Sequence, residues 1–492
     1  MKNFAKFMVV AVAVTIFASM FILGISAAVE TPALPNPAEL KPGSDRVVFI
    51  KDAPRDENFQ YTGESLEGDG TGSDANNPLI PMDSHERFDP GAERKRYHLL
   101  TALYQANEML AETGGTIVIC GPVFIGINEV GDNGATSVRD NETVVFKDNV
   151  IKYTSVWDGV DYRETADAKL ILQLPAMLLI RGSTIWENID LVTDGTDRAI
   201  CFSDYCTYVG KGVNCYPLDS AFEGVAQNYI SLVAGHRFSA AKDKTSNLLV
   251  QSGTYNKIIG STYGTANYLS ENYVSNVTLE GSTKVLGLIS GSINAKHMFG
   301  GHTNITINDG TYECDINGVG VSGFQNTDGT VNIKINGGDF RNCWSINESA
   351  MGFSNNPPAF STLDFSGWKG DLVDLAFANL VVTDFTEIKY PDGVTAEQLS
   401  QMELPEVVPE TEPAEDDEKD TQPADTKPAD TKPADTKPAE VTEKEDETEI
   451  TPTGPKDDNN SKGISPIIYV VIGVIAVAII AVVVVLLLKK KK

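Results

Sequence analysis

The sequence predicts an all-β protein built as a parallel β-helix, and three observations carry that expectation. A four-residue motif recurs as Asn247-Leu248-Leu249-Val250, Asn276-Val277-Thr278-Leu279, Asn304-Ile305-Thr306-Ile307 and Asn332-Ile333-Lys334-Ile335, with the asparagines 29, 28 and 28 residues apart. Repetition at roughly 20–50 residues marks a stacked array in which each unit buries its apolar face against its neighbours. Each Asn also opens an apolar/polar alternation, the pattern of a strand with one buried side. Finally, Gly253, Gly310 and Gly338 follow six residues after their asparagines, and Tyr255, Tyr312 and Phe340 two residues later. By the same count the second copy carries Ser282 and Lys284. One turn of a β-helix has about this length.

The chain ends define a location. Lys2 and Lys6 precede an apolar stretch from Phe7 to Ile25, and Ser26-Ala27-Ala28 supplies the small residues of a cleavage site. Residues 1–28 therefore read as a signal peptide. Near the other end, 464–488 reads as a transmembrane helix. Ile467 to Leu488 contains no charge, and its 22 residues at ~1.5 Å each give about 33 Å, enough to cross a bilayer core. Lys489 to Lys492 follow as a basic cytoplasmic tail. The expected product is a single-pass protein of the cell membrane with an extracellular body and a cytoplasmic C-terminus.

Residues 403–463 differ in composition from the body. Pro-Ala-Asp-Thr-Lys occurs three times from Pro423, and large apolar residues are nearly absent. Such a segment buries too little surface to offset its ordering entropy, so it reads as a disordered stalk. Fully extended at about 3.1 Å per residue it would reach ~190 Å. It holds 20 acidic and 7 basic residues, a charge of −13; with +2 in the signal and +4 in the tail, −22 of the whole-chain −29 falls on residues 29–402. That charge argues against nucleic acid or anionic lipid as a partner and would repel polyuronate unless calcium intervened.

Residues 29–90 read as an N-terminal extension and 91–402 as the β-helix body, with repeats over 247–345. Leu99, Leu100, Leu103, Tyr104, Ala106 and Leu110 form a stripe of helical period that Gly114-Gly115 ends. This amphipathic helix is expected to cap the open apolar end of the array. Thr116 to Cys120 follows as a buried strand, and further strands are expected at 143–146, 169–172, 177–180, 189–191, 200–202 and 208–209, off the later period.

Several strings carry a family resemblance. Glu112-Thr113-Gly114-Gly115-Thr116-Ile117-Val118-Ile119-Cys120-Gly121-Pro122, Gly182-Ser183-Thr184-Ile185-Trp186-Glu187-Asn188-Ile189, Ile307-Asn308-Asp309-Gly310-Thr311-Tyr312 and Ile335-Asn336-Gly337-Gly338-Asp339-Phe340 resemble the pectin-lyase-like right-handed parallel β-helix superfamily. More narrowly, the chain looks like the stalked, membrane-anchored surface proteins of that fold in Gram-positive anaerobes. The likeness covers about residues 60–390 and implies the fold; enzymes and adhesins share that fold, so it does not choose an activity. Ile450-Thr451-Pro452-Thr453-Gly454 resembles the sortase signal but departs at its leading Leu-Pro pair.

Two site readings follow. Asn326-Thr327-Asp328-Gly329 resembles the first polygalacturonase element, but the remaining elements do not follow it, and inverting hydrolysis needs carboxylates on both sides of the bond. A lyase needs an arginine base and calcium-holding carboxylates, and Arg198 with Asp194 and Asp197 is the best local cluster, Arg341 with Asp339 the second. These four, Arg198, Asp194, Asp197 and Asp328, are the catalytic candidates of an enzyme reading; solvated turn charge is the plainer account. The other reading rests on Tyr263, Tyr268 and Tyr273, spaced by five on a polar loop and suited to stacking on sugar faces. Packing against the body is the competing explanation. The histidines lack metal spacing, no phosphate loop is present, and residues 67–74 are oxygen-rich without an EF-hand pattern. No cofactor is expected, calcium entering only with the enzyme reading. Cys201 with Cys206 and Cys206 with Cys215 are near pairs for disulfides, whereas Cys314 and Cys343, 29 apart, fit either a bond or a stack of reduced thiols. The expected function is carbohydrate binding or adhesion at the cell surface, with a polysaccharide lyase or hydrolase as the alternative and a structural surface component as the third.

Overall fold

The structure, a computed structural model, describes residues 36–52, 70–79, 102–125, 128–130, 136–138, 141–172, 177–196, 198–235, 245–261, 272–291, 301–320, 329–349 and 358–405. All of these belong to one compact unit spanning 1–411. The expected signal peptide, most of the stalk, the expected membrane helix and the basic tail lie outside the described residues. Among the described residues no helix is long and apolar enough to cross a membrane.

The architecture is predominantly strands in parallel sheets. Seventeen strands join in one hydrogen-bonded sheet and four in a second, and every pairing within these two is parallel. Two small antiparallel pairings, 128–130 with 136–138 and 156–157 with 160–161, belong to neither sheet. Register shows how the repeat works. Asn247 pairs with Asn276, Asn276 with Asn304 and Asn304 with Asn332, so the motif asparagines stack as one column. Side-chain amides continue the column, with Asn304 Nδ2 donating to Asn276 Oδ1 at 2.9 Å and Asn332 Nδ2 to Asn304 Oδ1 at 3.0 Å. A second polar row converges on a carboxylate: Gln251 Nε2 donates to Glu280 Oε1 at 2.5 Å and Asn308 Nδ2 to Oε2 at 3.3 Å, while Tyr208 and Asn336 donate to Gln251 and Asn308 from the flanks.

The inward positions form equally continuous apolar rows. Val48, Ile117, Tyr153, Trp186, Val209, Val250, Leu279, Ile307 and Ile335 are successive register partners, each buried. Leu178, Ile200, Leu232, Ile258, Ile289, Ile316, Ile346 and Val382 form a parallel second row. The early strands thus join the same array although their spacing is irregular, because insertions between strands leave the register untouched. Alternation within a strand keeps the rows apart: along His302–Ile307 the even step faces out and the odd step is buried.

Glycine permits close approach between repeats at the ends of two strands. Gly318 approaches Val331 so closely that a Cβ there would lie 2.7 Å from the Glu348 carbonyl oxygen, and Gly291 meets the Gly318 carbonyl in the same way at 2.9 Å. Small inward residues Ser246, Ser275 and Thr303 occupy successive register positions opposite this glycine column. No side chain fits between two passes of backbone this close.

Both ends carry a helix. Ala102–Leu110 buries Leu103, Ala106 and Leu110 in the same core as Ile117 and Ile151, and Tyr153 Oη donates to Asn107 Oδ1 at 2.6 Å. Gly114, at φ 67°, closes the helix through its N–H to the Leu110 carbonyl. Leu99 and Leu100 of the expected stripe lie outside the described residues. At the other end Leu372–Leu380 buries Leu375, Ala376 and Ala378, and Ala396–Ser400 follows with a Thr395/Gln398 capping box. The sequence did not announce these C-terminal helices.

Candidate functional site

Of the sequence-derived catalytic candidates, Arg198 and Asp194 fall among the described residues. Arg198 is 2% exposed, and its guanidinium turns back on its own loop, donating to the Asp194 carbonyl at 2.8 Å and to the Thr196 carbonyl. It is held by the backbone of a turn that includes Gly195 at φ 93°. Burial raises the Asp194 carboxyl above its ordinary range, with Arg198 opposing part of that shift. Asp197 and Asp328 lie outside the described residues.

The tyrosine reading needs a correction at one position. Tyr273 has no exposed surface, and its Oη donates to Asp204 Oδ1 at 2.6 Å. Asp204 and Ser203 both sit at positive φ, 69° and 54°, in a turn whose N–H groups bond Ala234 and Gly235. Burial and the Asp204 charge drive the phenol pKa well above its usual range. Tyr273 is therefore a core residue tied to a buried carboxylate and presents no ring to a ligand. Spacing by five could not reveal this, because Tyr273 stands at the entrance of Val274–Ser290, where the chain has already turned inward. Tyr263 and Tyr268 lie outside the described residues.

The glycine-x-aromatic pattern has a specific physical basis. Gly253, Gly310 and Gly338 adopt φ of 100°, 117° and 119°. In two of the three copies the following tyrosine folds back beneath the corner, Tyr255 Oη donating to the Ser252 carbonyl at 2.8 Å and Tyr312 Oη to the Asp309 carbonyl at 2.5 Å. A Cβ on Gly310 would lie 2.7 Å from Tyr312 Oη, and one on Gly338 would lie 3.0 Å from the Tyr312 ring. Glycine and ring are thus coupled. In the second copy, simple counting from the asparagine misplaces the equivalents. An irregularity after Val250 shifts the register by one residue, so Thr283 pairs with Gly253 and Val285 with Tyr255. With a small side chain below, the corner tolerates Thr283, whose hydroxyl donates to the Glu280 carbonyl at 2.8 Å. Tyr312 stacks on Phe340 with centroids 5.1 Å apart, continuing the aromatic row into the next repeat.

Stacking these corners makes a furrow on the surface. A groove of about 610 Å³ crosses successive repeats over Gly281, Gly310, Gly338 and Gly370, and a smaller hollow of about 300 Å³ beside Gly212 and Gly253 shares Thr254 and Ser282 with it. Bare backbone forms the floor. Charged side chains stand along the main groove: Lys284, Asp309, Asp339, Arg341 and Asp374. Arg341 Nε donates to Asp339 Oδ1 at 2.8 Å and its Nη2 meets the other carboxylate oxygen, holding the Asp339 carboxyl below the usual range. Lys284 Nζ lies 2.9 Å from Glu313 Oε1. The Arg341–Asp339 pair was legible in the sequence as a local cluster. Its placement in a groove with Lys284, Asp309 and Asp374 was not, because the pair and these three residues come from four separate stretches of chain. Among the described residues no three His, Cys, Asp or Glu side chains are placed to hold a metal ion.

All six cysteines are buried thiols. Burial pushes the thiols of Cys120 to about 11 and of Cys206, Cys215 and Cys343 to about 12. Cys343 Sγ donates to the Cys314 carbonyl at 3.3 Å, so the pair 29 residues apart stands on adjacent repeats as thiols.

The chain matches no family model, no curated protein and no solved structure.

Proposed function

We propose that this chain is a surface-displayed carbohydrate-binding protein, exported by residues 1–28, anchored by 464–488 and carrying its body outward on the 403–463 stalk. The body is read as a right-handed parallel β-helix related to the pectin-lyase-like superfamily; unbroken register rows support that reading. One observation carries the binding assignment: the polar groove over the glycine corners, which runs across several repeats as an extended polymer would require. Its floor of backbone and its rim of hydroxyl and charged groups suit hydrogen bonding to sugar hydroxyls. Binding needs only this shaped surface. Bond cleavage needs an acid and a base within reach of one bond, and Arg198 is committed to its own turn.

The test uses the full-length protein in detergent micelles, with and without calcium, against a polysaccharide panel scored for both retention and product release. Retention without cleavage is expected. Unsaturated uronide absorbance or new reducing ends, abolished by Arg341→Met, would establish the enzyme instead. On intact cells, added protease should free the body by cutting within 403–463 while Lys489–Lys492 stays protected, and accessibility of that tail would overturn the anchored topology.

A further inference from the structure

Resting on the carbohydrate-binding reading, we infer that the groove takes neutral, hydroxyl-rich glycans and rejects polyanionic ones. Charge is the first argument. Three carboxylates, Asp309, Asp339 and Asp374, face two cations, Lys284 and Arg341, along the main groove. Both cations are already neutralised by side-chain carboxylates, Arg341 by Asp339 within the groove and Lys284 by Glu313 beside it. A uronate or sulfate would have to displace one of these partners and then sit among the remaining carboxylates. The −22 carried by residues 29–402 extends the same repulsion to longer range.

Hydrogen-bonding capacity is the second. Arg341 lines the groove with a side chain that is 54% exposed and donates to Asp339 through Nε and Nη2. One Asp309 oxygen accepts the Gly310 N–H, and its second oxygen remains for a ligand. The lining therefore offers both donors and acceptors. A sugar hydroxyl both donates and accepts, so a neutral chain satisfies both kinds of group without bringing charge. No aromatic ring lines the groove among the described residues, so recognition runs through hydrogen bonds, with the bare floor at Gly310 and Gly338 allowing close approach of a sugar ring.

The experiment measures affinity electrophoresis of the full-length protein in micelles against galactomannan, polygalacturonate, chondroitin sulfate and chitosan oligosaccharide. Galactomannan should retard the protein, with less than a twofold change between about 50 and about 500 mM salt, where screening removes charge-driven binding. The two polyanions should not retard it even at low salt. Ser282→Leu, at an exposed position shared by both hollows, should weaken galactomannan retention at least tenfold, and Arg341→Met at least fivefold, each with an unchanged unfolding midpoint. Retention of a polyanion, or of the cationic chitosan alone, would overturn the neutral-glycan assignment while leaving carbohydrate binding intact. Galactomannan retention untouched by both variants would move the site elsewhere and overturn the groove. Retention of no glycan would overturn the carbohydrate reading and this inference with it.

Discussion

Replacing Ile307 by Asp tests the strand register that the whole architecture depends on. Ile307 has no exposed surface and stands in register between Leu279 and Ile335, themselves fully buried. Removing its side chain forfeits about 2–3 kcal/mol of apolar burial. The incoming carboxyl finds only apolar register neighbours and must be buried unpaired or protonated, which brings the total to about 3–5 kcal/mol. The neighbouring change Thr306→Asp places the same group on the outer face beside Lys334, its register partner, and should cost less than about 1 kcal/mol. Ile307→Val, which keeps the face and trims one methylene, should cost about 1 kcal/mol. Urea unfolding of the three variants beside the parent, followed by circular dichroism, supplies the comparison. Because a slip of one residue exchanges the two faces, equal losses from the two Asp variants, or a larger loss from Thr306→Asp, would refute the register.

Two further outcomes follow from buried titratable groups. With no reductant, native protein should resist maleimide over an hour and denatured protein should take up six equivalents, since all six cysteines are buried thiols and burial raises the pKa of Cys120, Cys206, Cys215, Cys314 and Cys343; fewer than six in denaturant would reveal disulfides. Glu348 has its carboxyl pKa raised chiefly by burial, against a lowering by the Ser361 hydroxyl that donates to it. The folded state therefore holds this proton more tightly than the unfolded chain, and stability falls as pH rises from the ordinary carboxyl value through the raised one. Glu348→Gln keeps an acceptor for Ser361, so it should unfold at higher urea than the parent at pH 7 and lose that advantage near pH 4. A variant less stable than the parent at pH 7 would sink this account.

Much of the architecture was already legible in the chain. Period and alternation are local properties, so Asn247, Asn276, Asn304 and Asn332 announced their own column, and Ile307 and Ile335 their shared inward row. The capping stripe through Leu103, Ala106 and Leu110 was readable for the same reason. The second repeat shows where counting fails: a one-residue irregularity put Thr283 and Val285 where Ser282 and Lys284 were expected, because register is fixed by cross-strand hydrogen bonds and not by distance along the chain. The helix at 372–380 was hidden because nine residues with a short apolar face acquire helical stability only when Leu375 and Ala378 have a core to cover.

The sequence by itself determined the repeat, the inward rows and the glycine corners, since each follows from side-chain type at a fixed spacing. Only the tertiary structure decided what those parts enclose. It turned Tyr273 inward onto Asp204, committed Arg198 to its own turn, and set Lys284, Asp309, Arg341 and Asp374 along one groove. The physical reason is that direction and proximity between distant residues are set by backbone stacking, which brings together positions about one repeat apart and orients each by the path of the chain on either side.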